Sequence, residues 1–315
     1  MTTPTDSLVR ERAAGAARGR WLMLIVLALV PLVMPRDSPG RDRKLDLAGL
    51  AVAVPAVFLV VLPLMLGHQE DWPGWVFACI GLGLILAAMF VLVERRIADR
   101  GGDPLLNLAV LRAPGLTPGL AAVAVLMITY GGFLFSFALH LQAGLDDSAL
   151  RAGLTFAPCA VVFGLCGYFW RRLPSSLHHL LAPLGCLVAA GGYACVALVL
   201  HSGGRGGLTL QAALIVTGAA LALGFSPLVT HALVRVPLAQ AGDASGLLTT
   251  TIQLGQAVGV AAFGSLFLTL DSAPGPVVSG HALAVTFGWL AAAMLLGVLA
   301  GVSLARTVAA RAPAA

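Results

Sequence analysis

The sequence predicts an all-α, polytopic transmembrane helix bundle of eight or nine spans, and two observations carry that reading. Of the 315 residues, 59% are hydrophobic and only 10% charged, against roughly 25% charged in an ordinary soluble domain. A water-soluble globule of this length could not cover so much apolar surface. Second, apolar stretches recur along the whole chain between short polar loops, and they run unbroken rather than alternating. In lipid every backbone amide must be bonded within its own segment or in a closed barrel. Unbroken stretches therefore read as helices and not as barrel strands.

The first 20 residues form a basic tail with Arg10, Arg12, Arg18 and Arg20. A short apolar segment, Trp21–Met34, follows and contains Pro31. Eight longer spans are expected at 46–67, 75–93, 115–139, 153–170, 180–200, 208–231, 245–270 and 282–304. At about 1.5 Å per residue each can cross a hydrocarbon core of roughly 30 Å. Trp72, Trp75 and Trp170 lie at span ends, where aromatic belts form. Residues 306–315 read as a disordered tail.

Orientation follows from the basic residues. Thirteen Lys and Arg fall in loops on the side that holds 35–45, including Arg41, Arg43, Lys44, Arg95, Arg96, Arg171 and Arg172. The opposite loops hold two, Arg151 and Arg205. The rich side is expected to be cytoplasmic, together with the C-terminus. If Trp21–Met34 spans, the basic tail falls on the wrong side; if it does not, the conflict disappears. A signal peptide would share the basic start and apolar middle, but Pro35, Arg36 and Asp37 follow directly, with no small-x-small cleavage site. The net charge of +5 sits in these loops, which argues for topology and against a nucleic-acid partner.

Cys79, Cys159, Cys166, Cys186 and Cys195 all fall inside apolar spans, without a CxxC pair or a histidine at ligand spacing. They read as small hydrophobes, and no metal or cofactor is expected. Neither a GxSxG elbow, an HExxH pair nor a phosphate loop occurs, so the chain does not read as an enzyme.

Several segments fall in a recognisable order: RGRWLMLIVLALVPLV at the first apolar stretch, RDRKLDLAGL at 41–50, WPGWVFACIGLGLILAAMFVLVERR at 72–96 and DPLLNLAVLR at 103–112. LHLQAGLDDSALRAGLTFAP at 139–158 and LGFSPLVTHALVRVPLAQAGDASGLLTTTIQLGQAVGVAAFGSLF at 223–267 follow. From about residue 20 to 305 the chain resembles the fourteen-span drug:proton antiporter branch of the major facilitator superfamily (EmrB/QacA-like), truncated at the N-terminus. The resemblance makes 21–34 the sixth helix of a first half, 35–100 a pair of linker helices, and 101–305 a six-helix C-terminal bundle. It implies multidrug efflux from the cell membrane, with a small hydrophobic or cationic substrate. The facing wall would come from a separately encoded N-terminal half or a second copy. The alternative is a residual or regulatory membrane protein acting through helix–helix association. One departure is GYFWRRLPSSLHHL at 167–180, which has no acidic residue where the family often carries one.

Polar residues inside spans are the candidate path. Thr129, Phe133, Ser136 and His140 share a helix face by spacing, next to Tyr130; Thr249, Gln253 and Gln256 share another, and Ser226 and Thr230 a third. Each set either lines a central cavity, as the resemblance implies, or bonds helix to helix at about 0.6 kcal/mol per group. Gly115/Gly119 and Gly255/Gly259 are candidate packing pairs, and Pro158 and Pro227 candidate kinks. No Asp, Glu, Lys or Arg occupies the middle of a span, Glu94 and Asp46 being at solvated helix ends, and His231 is the one histidine inside a span. A buried carboxylate for proton coupling is therefore missing.

Overall fold

The computed structural model describes residues 47–67, 72–100 and 108–309. The segments 1–46, 68–71, 101–107 and 310–315, and with them the expectations for the basic tail, Trp21–Met34 and Asp46, lie outside the described residues.

The described chain is helical, with no strand among the described residues. Helix α1 is Leu47–Leu66 and α2 Gly74–Asp99. Then follow α3 Leu116–Leu139, α4 Ala149–Phe169, α5 His178–Leu200, α6 Gly207–Leu233 and α7 Ala241–Gly259, with α8 Ser265–Leu270 and α9 Pro276–Ala309. The turn of α3 at His140–Gly144 and the link from α7 to α8 at Val260–Gly264 are π-helical. With these turns included, seven continuous segments have the length and hydropathy to cross a membrane, and α1 holds the shorter apolar stretch Ala51–Pro63. The chain is a multi-pass membrane protein. Helix α9 runs to Ala309, so residues 306–309 belong to a helix and not to a tail.

Local chemistry sets the boundaries. Ser148 caps α4, its hydroxyl accepting from the Arg151 amide at 3.3 Å. Gly115 precedes α3 at φ 92°, a backbone conformation that glycine adopts without strain. It therefore serves as a helix start, whereas its sequence partner Gly119 packs: a Cβ there would come within 2.5 Å of the Ala232 Cβ on α6.

Helix α3 is the centre of the bundle, with 61% of its apolar window buried, against 11% for each of α2 and α4. Helices α6, α7 and α9 pack on α3, and α5 packs on α6 and α9. The core is aromatic. The ring of Phe133 lies 5.3–5.9 Å from those of Tyr193, Phe287, Phe137 and Phe156, a spacing at which tilted rings attract edge to face. The five cysteines are all free: Cys159 and Cys186 are buried, Cys79 and Cys166 half-buried, and Cys195 faces outward.

Candidate functional site

An open groove of about 750 Å³ lies between α1 and α7. Val54, Val57, Phe58 and Val61 line it from α1, spaced so that they form one helix face. Thr249, Gln253 and Gln256 line it from α7, again one face, with Thr250, Leu254 and Ala257 alongside and Val260 from the π link. Thr249 and Gln253 are exposed and Gln256 is half-buried, its Nε2 at 3.8 Å from the Met127 sulfur. No ionisable residue lines the groove. It offers an apolar wall with amide and hydroxyl groups facing it, which suits an uncharged amphipathic molecule.

The structure places the other candidates elsewhere. Thr129, Phe133, Ser136 and His140 are fully buried, and none lines a described groove. The Thr129 hydroxyl donates to Leu126 O at 2.9 Å and lies 3.9 Å from Met294 Sδ. The Ser136 hydroxyl stands 3.5 Å from Phe263 O, a carbonyl of the second π turn. His140 Nδ1 is 2.9 Å from Ser279 Oγ on α9, and its Nε2 is buried without a hydrogen-bond partner. This stripe joins α3 to α7 and α9. Tyr130 is half-buried and stacks on Phe163 at 6.3 Å. Thr230 donates to Ser226 O at 2.9 Å within α6.

Two sequence expectations change. Glu94 is fully buried on α2, so solvation at a helix end does not describe it. His231 is not the one histidine within a span: the π turn extends the α3 segment to Gly144 and takes His140 inside. His231 itself hydrogen-bonds Pro227 O at 2.7 Å, one turn back. Gly255 and Gly259 pack within the chain, against α3. A Cβ on Gly255 would lie 2.9 Å from Met127 Cβ, and one on Gly259 would overlap Ile128 O, both on α3.

Sequence reasoning missed the α1 wall of the groove, because Val54, Val57, Phe58 and Val61 differ in nothing from lipid-facing residues. It also missed Asp147. This carboxylate is 8% exposed and stands 3.3 Å from Arg151 Nε and 3.2 Å from Arg205 Nη2. Arg205 also donates to Leu145 O at 3.2 Å, so the cluster ties the turn after α3 to the one before α6. The signal was present in the two lone arginines of that side. A smaller groove of about 570 Å³ at the same end includes His201 and His281. Partial burial holds the neighbouring Asp271 carboxyl above its ordinary range. No group of three or more His, Cys, Asp or Glu among the described residues could hold a metal ion.

The described chain is a membrane-type helical bundle with an uncharged groove between α1 and α7. Residues 14–260 match the Major Facilitator Superfamily profile, and the chain belongs to that superfamily. It is similar to the probable actinorhodin transporter of Streptomyces coelicolor, at 33% identity over 76% of this chain and 42% of that protein. It is also similar to the cephamycin export protein CmcT of Amycolatopsis lactamdurans, at 32% identity over 76% and 49%. The multidrug efflux pump LfrA of Mycolicibacterium smegmatis is 26% identical over 78% and 48%. The chain spans about half the length of the curated relatives it matches.

Proposed function

We propose that this chain forms the linker helices and second six-helix half of a fourteen-span exporter of the drug:proton antiporter type. The observation that supports the reading is the order of elements: two leading apolar helices, α1 and α2, precede six segments, α3 to α9, in a chain of the Major Facilitator Superfamily. The relatives are named for export of, or resistance to, antibiotics and drugs. The substrate class that fits is a small hydrophobic molecule with a few hydrogen-bonding groups, since the groove between α1 and α7 carries no charge to balance a cation. We place 35–45 and the C-terminus on the cytoplasmic side.

Alternating access needs two walls that rock around a site near the membrane centre. The six-helix bundle supplies one wall; a facing half, from the same or another chain, supplies the other. The reading as a residual or regulatory helix-association protein is less well supported, since the similar proteins are named as transport, export or efflux proteins.

The test is the purified chain in liposomes with an imposed proton gradient and two fluorescent amphipathic dyes, one neutral and one cationic. By itself the chain is expected to give no gradient-dependent dye movement, for want of a facing wall and of a mid-span carboxylate. Movement abolished by an uncoupler would show self-sufficient coupled transport and overturn the half-transporter reading.

A further inference from the structure

We propose that the turn between α4 and α5 is a binding site for the phosphate headgroup of an anionic phospholipid, held by Arg171 and Arg172. The inference is independent of whether the chain transports anything. It starts from position. The spans on either side, Ala149–Arg172 and Ser175–Leu200, both have membrane-crossing length. The turn joining them therefore lies at the membrane–water boundary, where lipid phosphates sit. Of the two spans, α4 is the less covered by the described chain, 11% buried against 56% for α5.

The side chains fit that place. Tyr168 is 75% exposed, and Phe169, Leu173 and Leu177 are exposed too. An apolar rim of this kind suits the acyl–headgroup boundary better than bulk water. Among these residues stand two guanidinium groups. Arg172 lies over the Phe169 ring at 4.6 Å and Arg171 over the Trp170 ring at 5.7 Å. Stacking on a ring holds the cation in place while leaving its N–H edge to donate, and that planar fork matches a phosphate. Among the described residues neither guanidinium pairs with a carboxylate, whereas Arg151 and Arg205 both do. Residues 167–180 contain no Asp or Glu.

The turn is also anchored. Trp170 is buried, with its ring 5.1 Å from that of His178 and 6.5 Å from that of His231 on α6. His178 Nε2 stands 2.9 Å from Leu173 O and closes the turn. The two cations are thus presented by a braced segment, and among the described residues no carboxylate pairs with them. An anionic lipid supplies the counter-charge from the phase that already surrounds the site.

The experiment is native mass spectrometry of the detergent-purified full chain, titrated with phosphatidylglycerol or phosphatidylcholine of the same acyl chains. Phosphatidylglycerol is expected to bind about fivefold or more tightly than phosphatidylcholine, the size of one to two lipid–arginine attractions. Arg171→Gln/Arg172→Gln is expected to abolish the preference and leave phosphatidylcholine binding unchanged, which checks the fold in the same measurement. Arg172→Gln alone, with one cation left, is expected to show a partial loss and serves if the double variant does not express. Arg95→Gln/Arg96→Gln removes the same charge from the C-terminal turns of α2 and is expected to keep the preference. Three results overturn the proposal: a preference retained in the Arg171/Arg172 variant, an equal loss in the Arg95/Arg96 variant, or displacement of the lipid by millimolar inorganic phosphate, which would mark a soluble-anion site.

Discussion

Gly259 on α7 meets Ile128 on α3 backbone to backbone: a Cβ at Gly259 would overlap the Ile128 carbonyl oxygen and come within 3.0 Å of the Gly132 amide nitrogen. The contact is reciprocal, since a Cβ on Gly131 would overlap the Gln256 carbonyl. Without a hydrophobic drive between helices in lipid, such close approach is a main source of packing energy.

Gly259→Ala should therefore force the two helices apart and lower stability by about 1–3 kcal/mol, the usual cost of overpacking. Gly246→Ala, about three and a half turns earlier on the same helix with nothing near its Cβ position, should be neutral or slightly stabilising. Thermal unfolding in detergent separates the two. Equal melting points would show that the seam does not set the packing of α7.

The groove between α1 and α7 predicts a binding phenotype. A neutral fluorescent aromatic compound should bind the detergent-purified chain, and Phe58→Ala or Gln253→Ala should weaken it by about tenfold, the effect of one buried ring or one lost hydrogen bond of roughly 1.4 kcal/mol. Thr129→Val, buried away from the groove, should leave the affinity unchanged. A loss at Thr129 without one at Gln253 would move the site into the bundle interior.

Asp147 predicts a coupling. Asp147→Asn should destabilise the chain by about 1–2 kcal/mol, less than a fully buried pair because Arg151 and Arg205 are more than half exposed. Double-mutant cycles with Arg151→Gln and Arg205→Gln should show the larger coupling to Arg205, which also holds Leu145 O. No coupling in either cycle would mean that solvent already screens the cluster.

Topology is open to a direct measurement. A reporter fused after Ala315 should read cytoplasmic, because thirteen basic residues lie in loops on that side and two on the other. A signal from the opposite side would invert every loop assignment, including that of Arg171 and Arg172.

The span order was legible because hydropathy and length alone determine it. The expected 115–139, 208–231 and 245–270 correspond to segments ending at Gly144, Leu233 and Leu270. The site was less legible, for a physical reason. In water, polar and apolar faces tell inside from outside; in lipid both the bundle interior and its exterior are apolar, so a periodic stripe fixes a face but not what it faces. Thr129, Ser136 and His140 form a real stripe and look inward at α7 and α9. Thr249, Gln253 and Gln256 have the same signature and look into the groove. The π turns are also invisible to a search for α-periodicity, and one of them carried His140 into its span.

The arrangement of the cysteines has a practical consequence for labelling. A charged, membrane-impermeant maleimide reacts with a thiolate that water reaches. Cys159 and Cys186 are enclosed by protein, and Cys79, Cys166 and the outward Cys195 lie within membrane-length segments. The wild-type chain should therefore be dark to such a reagent without removal of any native thiol. A single cysteine placed at Ser7 would be read against that blank. Silence from outside in intact cells is the result expected if Trp21–Met34 does not span, and labelling from outside would refute it.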